Sequence, residues 1–82
     1  MIKLTVITPE SSETFMAGAV FLPAVMGQFE VLPGHAPIAS SLKAGDVIFR
    51  TDEGERRIGI DGGVARCTGK DEIIICSGLC VG

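Results

Sequence analysis

The chain contains the segment Gly27-Gln28-Phe29-Glu30-Val31-Leu32-Pro33-Gly34-His35-Ala36-Pro37, in which a short strand runs into a rigid corner. Phe29 and Val31 alternate with polar side chains in the two-residue period of a strand with one buried face. Gly34 follows a proline and can supply the positive φ that the third position of a type II turn requires. We therefore predict a strand over residues 28–31 and a stiff corner over residues 33–37 that can contact a partner at low entropic cost.

The composition predicts one small domain over residues 1–82 that has apolar surface to spare. Hydrophobic residues make up 46% of the 82-residue chain, more than one thin core can hide, so we expect part of the surface to meet a neighbour,. The net charge of −3 and the absence of Trp and Tyr argue against binding nucleic acid,. The sequence has neither an apolar run long enough to insert in a membrane nor the pattern of a signal peptide.

Strands and turns alternate along the rest of the chain. Turns are predicted at five glycine-bearing positions: residues 24–27, 43–45, 52–54, 61–63 and 69–71,. Residues 15–22 favour extended structure interrupted at Gly18, by a bulge or as two short strands in series, although a helix over residues 16–22 is an alternative. Strands that recur every eight to twelve residues or so indicate an all-β sandwich or barrel.

The residue types needed for catalysis do not cluster in this sequence. Acidic residues stand singly or at turns, and the glycines of residues 59–63 are not followed by the lysine of a phosphate-binding loop, so we expect no catalytic residue and no cofactor,. The three cysteines, Cys67, Cys76 and Cys80, are interpreted as small core side chains of a protein from a reducing compartment. An alternative hypothesis is a free-standing β-sandwich that binds a small ligand or metal through His35 and these cysteines.

Four motifs in order resemble the amino-terminal domain of the epsilon subunit of bacterial F-type ATP synthases. They are residues 27–37, Thr8-Pro9-Glu10 before them, and Leu42-Lys43-Ala44-Gly45 and Asp61-Gly62-Gly63 after them. The resemblance covers essentially the whole chain. It implies a flattened antiparallel β-sandwich of two sheets and a non-catalytic rotor subunit of the central stalk, in a synthase driven by protons or sodium ions.

The resemblance also implies partners and a location. The family's domain binds the gamma shaft on one side and rests on the polar loops of the c-ring, as a peripheral part of the complex at the cytoplasmic face of the bacterial inner membrane. By position, the turn at Gly27 and Gln28 resembles the segment that touches the ring, and His35 resembles a residue lying against the shaft. The predicted interface with gamma or the c-ring comprises Gly27, Gln28, Glu30, Pro33, Gly34, His35 and Pro37.

Two departures from the family pattern stand out. The family commonly has an acidic residue where Gln28 stands and glycine where Glu30 stands. Most members also continue into a two-helix hairpin that can inhibit ATP hydrolysis and in some binds ATP, whereas this sequence has neither helix. A natural short form and a truncated chain both fit, and for either we expect no self-inhibition and no nucleotide binding.

Overall fold

The computed structural model describes residues 1–78 as seven β-strands without a helix. The strands are β1 (Ile2–Ile7), β2 (Ser12–Ala17), β3 (Ala19–Ala24), β4 (Gly27–Val31), β5 (Ile38–Thr51), β6 (Gly54–Cys67) and β7 (Glu72–Ser77). This confirms the all-β class. Because the described residues form no helix, none of them belongs to a helix that could cross a membrane.

The strands form one hydrogen-bonded sheet in the order β2-β1-β7-β6-β5-β3-β4. Neighbours are antiparallel except β1 and β7, which run parallel. The sheet folds over on itself, so that β2 and β5 face each other although three strands separate them in the sheet order. The ring centroids of Phe15 on β2 and Phe49 on β5 are 4.8 Å apart. The two expected sheets are therefore two layers of one continuous sheet.

A long hairpin of β5 and β6 joins the two layers. Its strands stay paired from Ile38 opposite Cys67 to Thr51 opposite Gly54, so the turns predicted at residues 43–45 and 61–63 are wrong. One half of the hairpin pairs with β7 and the other half with β3. Gly62 and Gly63 therefore bend β6 from one layer to the other and do not reverse the chain.

The bend depends on Gly62 and Gly63, which have φ angles of +99° and +135°. A Cβ atom added to Gly63 would overlap the backbone carbonyl oxygen of Cys76 on β7. The buried hydroxyl of Ser77 donates a hydrogen bond of 2.9 Å to the Gly62 carbonyl. A carbonyl at the bend thus keeps a partner, as buried backbone groups require.

Residues 15–22 belong to two short strands in series, and the helical alternative is wrong. The chain bends at Gly18, between β2, which pairs with β1, and β3, which pairs with β4 and β5. Every residue of β3 is buried except Phe21, which is half-buried, so this strand is covered on both faces.

Apolar side chains from both layers fill the space between them. The largest side chains that are almost completely buried in this core are Ile2, Leu4, Val20, Leu22, Val47, Phe49, Ile73 and Ile75. Cys67 is buried in the same cluster, as expected of a small core side chain. Cys76 is only half-buried, which corrects its interpretation as a core side chain, and Cys80 lies outside the described residues.

Candidate functional site

The tip of the β3–β4 hairpin, Val25 and Met26, is the most exposed apolar feature of residues 1–78. Met26 is 97% exposed and Val25 is 59% exposed. The backbone is nevertheless fixed, because the Val25 N–H donates a hydrogen bond of 3.0 Å to the Ser41 carbonyl on β5. An apolar side chain held in water on an ordered hairpin is typical of a contact surface.

The corner of residues 33–37 has the turn that the sequence predicts. The His35 N–H donates a hydrogen bond of 3.1 Å to the Leu32 carbonyl, which closes a four-residue turn. Gly34 occupies the third position with a φ of +86°, as a type II turn requires,. This prediction is confirmed, and its cause is local, since proline fixes the second position and glycine alone takes the third without strain.

His35 lies half-buried at this corner. Its Nδ1 is 2.7 Å from the Ala36 carbonyl oxygen, and since a carbonyl only accepts, the Nδ1–H donates,. The imidazole borders a shallow cleft of about 10 Å³, close to the volume of one water molecule, whose walls include Ile2, Val31 and Cys67,.

The turn between β6 and β7 supports the corner from the side. The Asp71 carboxylate accepts a hydrogen bond of 2.7 Å from the Gly34 N–H. Gly69 packs so closely against Pro37 that an added Cβ would lie 2.8 Å from the proline ring. Sequence reasoning missed both contacts, because residues more than 30 positions apart in the sequence give no local signal that they meet.

The seven predicted interface residues do not form one cluster. Gly27 and the end of β4 at Val31 are separated by four residue steps, or about 13 Å of extended chain. Gly27 and Gln28 therefore adjoin the tip, whereas Pro33, Gly34, His35 and Pro37 form the corner. Glu30 lies between these two groups on the exposed edge of β4. His35 is half-buried, and the other six are exposed: Gly27, Gln28, Glu30, Pro33, Gly34 and Pro37.

Sequence reasoning also missed Val25 and Met26, which it placed in a turn without a role. A hydrophobic residue at a hairpin end is a weak signal that could have indicated them, since turn tips favour small and polar residues.

The alternative metal hypothesis gains no support from the described residues. His35 and Cys67 border the same cleft, but residues 1–78 contain no group of three or more His, Cys, Asp or Glu side chains that could hold a metal ion.

Fold and surfaces together define a small β-sandwich domain with two separate exposed regions, the tip and the corner, which are candidate contact regions at the ends of one edge strand. The sequence profile of the ATP synthase delta/epsilon chain β-sandwich domain matches residues 1–79, so the chain belongs to that family.

Relatives support the same assignment. The chain is 34% identical to an ATP synthase epsilon chain of Helicobacter acinonychis over 79 residues, which are 95% of this chain and 64% of the relative. It is 32% identical to that of Chlorobium limicola over 77 residues, covering 89% and 85% of the two chains. Identity to the Syntrophobacter fumaroxidans epsilon chain is 40% over 65 residues, covering 78% and 48%. The chain thus spans about half to two-thirds of the first and third of these relatives.

Solved structures share the fold. A chain in the Euglena gracilis mitochondrial ATP synthase (OSCP/F1/c-ring) superposes with a TM-score of 0.85 at 22% identity, covering 93% of this chain and 49% of that one. A chain in the Tetrahymena thermophila mitochondrial ATP synthase central stalk and c-ring gives a TM-score of 0.77 at 12% identity, covering 93% and 62%. At these identities the likeness establishes the fold alone.

Proposed function

We propose that this chain is a non-catalytic subunit of the rotating central stalk of an F-type ATP synthase driven by protons or sodium ions. The observation that carries the proposal is the match of the delta/epsilon β-sandwich profile to residues 1–79 of the 82. The epsilon-chain relatives and the shared fold support it. The subunit would lie peripherally at the cytoplasmic face of the bacterial inner membrane, as part of the complex.

In this proposal the two contact regions serve two partners. The tip, with Gly27 and Gln28 beside it, meets the polar loops of the c-ring, and the corner with His35 lies against the gamma shaft. The separation of the tip from the corner along β4 supports two partners, because a partner bound at one region leaves the other region accessible. The exposure of Met26 supports a contact at the tip, since burying an apolar side chain of this size on binding is favourable by about 1.5–3 kcal/mol.

The mechanical role in this proposal is to pass torque from the ring to the shaft. Such a role requires a body that resists shear between its two contact regions. The continuous seven-stranded sheet supports it, because every strand from β2 to β4 is linked to its neighbours by backbone hydrogen bonds and the layers pack on one core,.

Co-expression with the gamma subunit of the same organism tests the proposal. We expect one stoichiometric complex on size-exclusion chromatography and a higher thermal stability of the chain when gamma is bound. His35→Ala should weaken that complex, whereas Met16→Ser, at an exposed methionine on the distant edge strand β2, should not. A folded chain that elutes alone, without stabilisation by gamma, would contradict the rotor proposal.

A further inference from the structure

Asp71 has an unusual backbone conformation for its residue type. Its φ is +54°, and it is the one residue other than glycine with a positive φ among residues 1–78. The left-handed region is disfavoured for side chains with a Cβ, and Asn, Asp and Gly are the types that occupy it most readily. The position therefore tolerates few residue types on backbone grounds alone.

Asp71 connects three segments that are distant in sequence. Its backbone carbonyl accepts a hydrogen bond of 2.8 Å from the Lys3 N–H at the start of β1. Its carboxylate accepts the bond of 2.7 Å from the Gly34 N–H described above. A hydrogen bond to an ionised carboxylate at this distance is among the stronger kinds in proteins.

A second contact holds the other end of the corner. Gly69, two residues before Asp71, packs against the ring of Pro37 with no space for a side chain. The β6–β7 turn therefore holds the corner at Gly34 and at Pro37, on both sides of His35. Gly34 and Asp71 are both exposed, so their hydrogen bond lies at the surface where a partner could approach.

We infer that Asp71 is a positioning residue that fixes the corner, through the Gly34 N–H, in the conformation that binds the gamma subunit. The inference rests on the proposed function, because it takes gamma as the partner of the corner. A corner that is already fixed loses less conformational entropy on binding, so its affinity for gamma is higher. Of the types that tolerate positive φ, Asn and Asp retain a side-chain acceptor, whereas Gly tolerates the backbone but has none.

Two variants separate the hydrogen bond from the backbone conformation. Asp71→Asn keeps an acceptor oxygen and tolerates the φ, and Asp71→Gly relaxes the φ but removes the acceptor. Asp52→Gly, at the exposed end of the β5–β6 hairpin, is the matched control. For each chain we would measure the thermal midpoint, the amide hydrogen-exchange rate of Gly34 by nuclear magnetic resonance, and the affinity for purified gamma.

We expect Asp71→Gly to remain folded, to exchange the Gly34 amide about tenfold faster, and to bind gamma about tenfold more weakly. Asp52→Gly should stay within about twofold of the unsubstituted chain in both quantities. Asp71→Asn should lie between Asp52→Gly and Asp71→Gly, because its neutral oxygen accepts a weaker hydrogen bond than the carboxylate does. Partial rescue by Asn distinguishes positioning from a direct charge contact with gamma, which Asn and Gly would lose equally.

Three results would overturn the inference. Unchanged exchange of Gly34 in Asp71→Gly would show that the hydrogen bond does not hold the corner, and faster exchange with unchanged affinity would show that binding does not need a fixed corner. Failure of the unsubstituted chain to bind gamma would overturn the proposed function and the positioning role together, whereas the first two results leave the proposed function intact.

Discussion

Replacement of Gly63 by alanine tests whether the bend in β6 holds the two layers together. The φ of Gly63 is +135°, which an L-residue adopts only with strain, and an added Cβ would overlap the Cys76 carbonyl oxygen. Because the overlapping atom is backbone, no side chain can rotate away to relieve the contact. The paired strands β6 and β7 must separate locally at Gly63 and Ser77.

The expected loss in the free energy of unfolding is worked out by comparison with Gly54→Ala, in which only the strained backbone conformation contributes. Gly54 has a φ of +117° and no atom within 4 Å of an added Cβ, so Gly54→Ala should cost about 1–3 kcal/mol of the free energy of unfolding,. Gly63→Ala adds the loss of about two β6–β7 hydrogen bonds, worth about 0.5–1.5 kcal/mol each. We therefore expect Gly63→Ala to exceed Gly54→Ala by about 1–3 kcal/mol.

The difference should be large relative to the whole stability. A domain of 82 residues is stable by roughly 4–12 kcal/mol, and each kcal/mol corresponds to about 4–8 °C of thermal midpoint,. Gly18→Ala is the control for the substitution itself, because Gly18 has no positive φ and open space around its Cβ position. Its midpoint should change little.

Urea and thermal unfolding followed by circular dichroism measure all three variants. A Gly63→Ala chain that is unfolded, beside folded Gly54→Ala and Gly18→Ala chains, would be the extreme form of the expected result. Unfolding free energies of Gly63→Ala and Gly54→Ala that agree within about 0.5 kcal/mol would refute the reasoning, because the close approach of β7 would then contribute nothing.

Three further predictions use other parts of the structure. Burial raises the pKa of the Cys67 thiol, so its contribution to stability is complete below the pKa of the unfolded thiol and is lost as pH rises through the folded value; urea unfolding across alkaline pH should show this fall, and Cys67→Ala should remove it,. Met26→Ser should leave the thermal midpoint within about 2 °C but weaken assembly with a c-ring, whereas Met16→Ser should change neither; equal binding by both variants would contradict a contact at the tip,. Phe49→Ala should cost about 3–5 kcal/mol in urea unfolding, because Phe49 is fully buried and packs on Phe15, and a loss below about 1 kcal/mol would place the core elsewhere,.

Elements specified by a few adjacent residues could be predicted from the sequence. The strand at residues 28–31 follows from alternation, and the turn at the corner follows from Pro33 and Gly34, whose permitted φ angles leave few alternatives. The interruption at Gly18 was also visible, because glycine weakens either a helix or a strand. In each case the information lies within about five residues.

The bend in the long hairpin could not be predicted in this way. Gly62 and Gly63 have the positive φ angles that a reversal would need, and the same angles serve a bend within a paired strand. The chain bends here and does not reverse because β5 (Ile38–Thr51) pairs with β6 (Gly54–Cys67) along its length. This pairing depends on residues that are distant in the sequence. The support of the corner by Asp71 was invisible for the same reason.

The positions of the tip and the corner bear on how the proposed rotor subunit would transmit force. Both adjoin β4, a five-residue edge strand bonded only to β3 among the described strands, so β4 alone would be a weak link between two partners. Each end has a second attachment, since Val25 is hydrogen-bonded to Ser41 on β5 and Gly34 to Asp71 beside β7. A load applied at the tip would therefore reach the corner through the body of the sheet as well as through the edge strand. Stiffness between the two contact regions should accordingly depend on these two side attachments more than on the length or composition of β4.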